Sequence, residues 1–176
     1  MKYEHKLIIR IILLFLIWPS LLYIIFFIPT IYLSYLILKL IGYNIIVDLT
    51  SQLLIINDLK LNFITACVAT SAYQLLAILI LLTKDLSFKK MLNMFIAGSL
   101  LVLAVNVIRI IFLSLIFVNY GYDLFEKFHI LLWRGAASFI VFFIWITIIK
   151  IFKVKTIPII SDVTYLYKMI RKSKKK

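Results

Sequence analysis

A single cysteine, Cys67, occurs in 176 residues. No internal disulfide can form and no CxxC pair exists, which excludes quinone-linked thiol oxidoreductases of the membrane. Acidic side chains are scarce: 7 Asp and Glu stand against 20 Lys and Arg, for a formal net charge of +13. With 2 histidines and so few carboxylates the sequence offers no metal-ligand set, and no metal or other cofactor is expected. Neither GxSG nor HExxH is present, and no two aspartates face each other from apolar helices. Serine, metallo- and aspartyl-type intramembrane proteases are therefore poorer readings of the sequence. Internal repeats are missing too, which argues against a transporter built from paired halves.

What fills the sequence instead is hydrocarbon. Hydrophobic residues make up 65% of the chain and the mean hydropathy is +1.12. A soluble domain of this length has too little interior to hide that much apolar surface. The positive charge is gathered at Lys2, Lys6 and Arg10, at Lys84, Lys89 and Lys90, and in the tail from Lys150 to Lys176. Basic clusters that flank apolar runs fix membrane orientation. They are not read as a nucleic-acid surface, and no nucleic-acid partner is expected. The tail, ending in Arg171-Lys172-Ser173-Lys174-Lys175-Lys176, suits anionic lipid headgroups.

Four apolar segments, at about 7–28, 64–82, 91–118 and 130–149, are each long enough for a hydrocarbon core of about 30 Å. They must be helical, because lipid offers no partner to a bare backbone. The run from Leu7 to Ile41 exceeds a cleaved signal peptide, has no A-x-A-like site, and reads as a retained anchor. Pro29 is expected to break it, leaving residues 30–40 at the interface or re-entering the bundle. The prediction is an all-α class: a polytopic membrane helix bundle with about four transmembrane helices and a short outer hairpin or loop before the cysteine helix. As one integral membrane domain, 1–176 divides into an anchor and interfacial segment 1–41, an outer segment 42–62, a three-helix core 63–150 and a basic tail 151–176.

Lys and Arg place both termini and the loop 84–90 in the cytoplasm, and the segments 42–62 and 119–128 outside. The protein is thus expected in the plasma membrane. Within 42–62, the β-branched runs 43–49 and 52–56 and the pair Asn57-Asp58 predict a short hairpin or a half-sunk loop.

On this topology three unusual side chains fall in the outer half of the bilayer. Arg109 lies within the third helix, about 13 Å below its outer end. An arginine there must face the bundle or a wet cavity, and its chemistry suits a carboxylate or an oxyanion. Asn106 is one turn earlier on the same face. The alternative is an arginine that snorkels or pins two helices together. Cys67 opens the second helix. A lone helical cysteine is usually a small apolar side chain, and a reactive one needs positive charge and substrate access. His129, where the fourth helix re-enters, is an ordinary interfacial residue by itself and a candidate general base beside a cysteine. Arg134, deeper in that helix, adds charge to the same cavity or contacts a lipid phosphate. His5 lies on the cytoplasmic side.

Together Thr65-Ala66-Cys67-Val68-Ala69-Thr70-Ser71-Ala72, Asn106-Val107-Ile108-Arg109-Ile110 and Asp123-Leu124-Phe125-Glu126-Lys127-Phe128-His129 resemble the motifs of the exosortase/archaeosortase family. The likeness covers about residues 43–149. One departure is Ala69, where the family usually has glycine; read as a helical position, it is one where alanine is the better former. The resemblance implies a cysteine transpeptidase acting on membrane-anchored proteins with C-terminal sorting signals. It would pass the new C-terminus to a lipid or envelope acceptor. It further implies Cys67, Arg109 and His129 as catalytic residues, with Asn106 and Arg134 as candidate oxyanion or substrate support. A non-catalytic assembly scaffold, or a small transporter component, is the alternative.

Overall fold

The computed structural model describes residues 19–57, 59–83 and 86–154. The expected start of the first apolar segment, His5, and the tail from residue 155 lie outside them. In chain order the elements are α1 (Pro19–Leu40), β1 (Ile45–Asp48), β2 (Leu53–Ile56), β3 (Leu59–Asn62), α2 (Thr65–Val68), α3 (Thr70–Leu82), α4 (Phe88–Tyr120), α5 (Tyr122–Ile130), a π-helical segment (Leu131–Ala136) and α6 (Ala137–Ile151).

Among the described residues, α1, α4 and the continuous run Tyr122–Ile151 are long and apolar enough to cross a membrane, whereas α3 has only 13 residues. The chain is a membrane protein, mostly helical but not purely all-α, because residues 45–62 form a three-stranded antiparallel sheet in the order β1-β2-β3.

The break expected at Pro29 does not occur: α1 runs 22 residues straight through it. At 1.5 Å per residue that is about 33 Å. Proline forfeits one main-chain hydrogen bond, a loss that neighbouring elements absorb in an apolar bundle. Here α1 is held along its whole length. Leu22 packs into the cluster that includes Tyr73, Leu76 and Trp145, and Phe26 stacks on Tyr73 with ring centroids 3.7 Å apart. Further along, Ile31 and Leu38 pack against Leu54 and Ile56 of the sheet. The sheet is thus a cover for the second half of α1.

Its register follows its turns. Asp48 pairs with Leu53 and Ile56 with Leu59. The first turn is tied by Asp48, whose Oδ1 accepts from Thr50 Oγ1 at 2.6 Å and from the Thr50 and Ser51 amides at 3.0 and 3.2 Å. These bonds hold its carboxyl well below the usual carboxylate range, at about 2. The second turn passes through Asn57 at φ 45°, a left-handed conformation that asparagine tolerates. The expected hairpin is therefore present, with β3 as an unforeseen third strand.

The third expected helix is extended at both ends to 33 residues, capped by the Ser87 side chain on the Lys90 amide at 3.4 Å. The outer loop expected at 119–128 is instead helical. Gly121, at φ 83°, turns α4 directly into α5. Phe112 of α4 meets Phe128 of α5 edge to face at 5.7 Å.

Candidate functional site

The expected second helix is in fact broken after its first turn. α2 is a single turn ending at Val68, and Ala69 then adopts φ 59° and ψ 38°, the left-handed region, before α3 begins. An unbroken helix would bond the Ala66 and Cys67 carbonyls to amides four residues on. The break frees both carbonyls, and an unpaired carbonyl in an apolar bundle is expensive.

The partners come from α4. Asn106 donates from Nδ2 to the Cys67 carbonyl at 2.8 Å. Arg109 donates from Nη2 to the Ala66 carbonyl at 2.7 Å and to the Cys67 carbonyl at 3.4 Å. The two polar residues of α4 are thereby locked onto the turn that carries the cysteine. The Asn106 amide orientation follows from this bond, since only the nitrogen can donate to a carbonyl. Asn106 Oδ1 and Arg109 Nε are buried and have no hydrogen-bond partner among the described residues. Arg109 thus retains donor capacity beyond the bonds it makes.

The thiol points elsewhere. Cys67 Sγ donates to the Asn62 carbonyl at 3.5 Å, at the end of β3, and the side chain packs at the edge of the cluster containing Phe27, Phe63 and Val68. Arg109 and the Tyr23 hydroxyl both lie within electrostatic reach of it. Tyr23 itself bonds to Gln52 Oε1 and the Phe63 carbonyl, each at 3.0 Å. This neighbour from α1 was not anticipated, since nothing in an apolar helix sequence marks one tyrosine among several as a neighbour of the cysteine.

His129 stands in the last turn of α5 with its ring stacked on Phe125 at 5.5 Å. It is near enough to Arg109 for their charges to interact, but among the described residues it has no hydrogen bond to Arg109 or Cys67. The expected convergence on one cavity is therefore partial. Arg109 and Asn106 line a cavity of about 240 Å³ between α3, α4 and α6, whose wall is otherwise apolar and includes neither Cys67 nor His129. Arg134, in the π-helical segment, lines an adjoining cavity of about 320 Å³.

All these groups share one end of the bundle. Arg109 is about 28 Å along α4 from Lys90, and His129 about 32 Å along its helix from Lys150, at 1.5 Å per residue. Lys90 and Lys150 therefore stand at the opposite end of these helices from Arg109 and His129.

The reading of Ala69 as an ordinary helical position is corrected, because its left-handed φ is a conformation in which glycine is at ease and alanine is strained. No protein-family model, curated protein or solved structure matches this chain.

Proposed function

We propose that the protein is a membrane-embedded cysteine transpeptidase of the exosortase/archaeosortase kind, with Cys67 as nucleophile. The observation that carries the reading is the engagement of the cysteine turn by Asn106 and Arg109, which ties the arginine motif to the cysteine motif across two helices. The left-handed Ala69 adds weight: a position where the family usually has glycine is one where this backbone calls for glycine.

In this reading the end with Lys90 and Lys150 is cytoplasmic and the site opens outward at the plasma membrane. His129 takes the Cys67 proton, and the thiolate attacks the scissile carbonyl of a membrane-anchored protein near its C-terminal sorting signal. Arg109, through donors not committed to the cysteine turn, stabilises the oxyanion, a contribution often worth about 3–4 kcal/mol. Asn106 and Arg134 are the supporting groups. The C–N bond breaks, and the departing amine takes its proton from His129. The resulting thioester on Cys67 is resolved by a lipid or envelope nucleophile. Because His129 is not bonded to the thiol, substrate entry must draw α5 toward the cysteine turn before the proton moves.

A second reading is an assembly scaffold in which Arg109 is a helix staple. It is favoured by the same hydrogen bonds, since in the described structure they are all to main chain. Cleavage separates the two. Reporters ending in an apolar helix and a basic tail, taken from the host's own secreted proteins, are co-produced with wild type, Cys67→Ala or His129→Ala, and their processing is followed by mass spectrometry. The transpeptidase reading expects processing to fall to background in both variants. Unchanged processing in Cys67→Ala supports the scaffold.

A further inference from the structure

Arg134 is a fixed positive charge inside the membrane-spanning run Tyr122–Ile151. Among the described residues it has no hydrogen bond or ion pair, and its side chain is exposed. Charged groups at such positions mark ligand or ion sites when the protein itself supplies no partner. The cavity that Arg134 lines is the more polar of the two, and Ser71 of α3, Ser138 of α6 and Trp133 line it with the arginine. The π-helical turn sets Arg134 and Trp133 into this wall, and such wide turns occur often at functional sites.

The second cavity adjoins the first, since Ala72, Ala137 and Val141 line both. Its further wall includes Val102, Val105 and Ile140 and reaches Ile108, a side chain 65% exposed on the surface of α4. A cation with two hydroxyls therefore adjoins a mainly apolar space, with Asn106 and Arg109 on its wall, that opens on the flank of a spanning helix. Arg134 stands about 24 Å along its helix from Lys150, which puts it close to the far edge of a core about 30 Å thick. Lipid phosphates lie at that level, and an indole such as Trp133 is at home there.

We propose that this double cavity binds one phospholipid molecule. Its phosphodiester accepts hydrogen bonds from the Arg134 guanidinium and the Ser71 and Ser138 hydroxyls, and the start of one acyl chain occupies the apolar cavity. Guanidinium suits this task, because its planar fork matches two phosphate oxygens. The site shares Arg134, Asn106 and Arg109 with the chemistry proposed for Cys67, but it stands on the unpaired cation and its cavity and is read by lipid retention alone.

Native mass spectrometry of the full chain in an uncharged detergent tests it, with added dioleoyl phosphatidylglycerol, dioleoylglycerol as the phosphate-free control and inorganic phosphate as competitor. Wild type should retain one phosphatidylglycerol and no dioleoylglycerol, and inorganic phosphate should not displace the lipid. Arg134→Gln should weaken retention about tenfold, with partial recovery in Arg134→Lys. Ala137→Phe, which fills the tail cavity and keeps the charge, should weaken it as well. Thermal unfolding identifies folded variants, and if Arg134→Gln does not fold, the Ser71→Ala/Ser138→Ala pair carries the test with a loss of several-fold. Full retention by folded Arg134→Gln or by the serine pair, equal retention of dioleoylglycerol, or displacement by inorganic phosphate would each overturn the proposal.

Discussion

Ala69 is where the chain departs furthest from what its local sequence favours. Alanine is the best helix former, yet here it sits at φ 59° and interrupts a helix. A left-handed alanine costs roughly 1–2 kcal/mol, so Ala69→Gly should stabilise the fold by about 1 kcal/mol, a gain measurable as a raised unfolding midpoint in mixed detergent. The opposite change is expected at Asn106. Asn106→Ala leaves the buried Cys67 carbonyl with only the long Arg109 contact and should destabilise by about 1–3 kcal/mol in the same assay. At Asp48 the turn bonds favour the ionised carboxylate. Its folded pKa is depressed, so the stability it lends is complete above the ordinary value near 4 and is lost as pH falls toward about 2. A carboxyl NMR titration should give a midpoint near 2 that rises in Thr50→Val, since the Thr50 side chain is the largest cause. The sequence made Cys67, Arg109 and His129 conspicuous by chemistry alone. It could not reveal that Arg109 grips main chain, because no glycine or proline near residue 69 announces the break that frees those carbonyls.

At the scale of elements, the apolar runs were legible because lipid permits few backbone solutions, and α4 appears where its composition demands a helix. The errors fell where tertiary contacts override local preference. Pro29 does not end α1, because the sheet and α3 hold both halves of that helix. The segment 119–128 carries charges that suggest a loop, yet its aromatic residues dock it on α4, where Phe117 lies 5.2 Å from Phe125. Close packing between α3 and α4 is concentrated at Gly98, where an added Cβ would stand 2.8 Å from Leu76 Cδ2. Leu76 is fully buried and has little room to move. Gly98→Ala should therefore cost about 1–2 kcal/mol net of its gain in helix propensity. That loss should shrink in a Leu76→Ala background, and a double-mutant cycle of unfolding midpoints reads the coupling directly.

Across the whole molecule, among the described residues, Lys89, Lys90 and Lys150 stand toward one end of the helices, and the cysteine turn, Arg109 and His129 stand toward the other, beside the sheet and with Lys39, Lys60 and Lys127. The packing that brings Asn106 and Arg109 onto the cysteine turn at this end was not readable from the sequence. The proposed account needs this end to be chemically active, and a covalent intermediate tests that most directly. The purified protein is mixed with membrane-anchored substrates and analysed by mass spectrometry for an acyl adduct on Cys67 that hydroxylamine removes. The account predicts such an adduct in wild type and none in Cys67→Ala or His129→Ala. A Cys67 that stays unmodified by every substrate and resists alkylating probes, in a protein that remains folded, would contradict it.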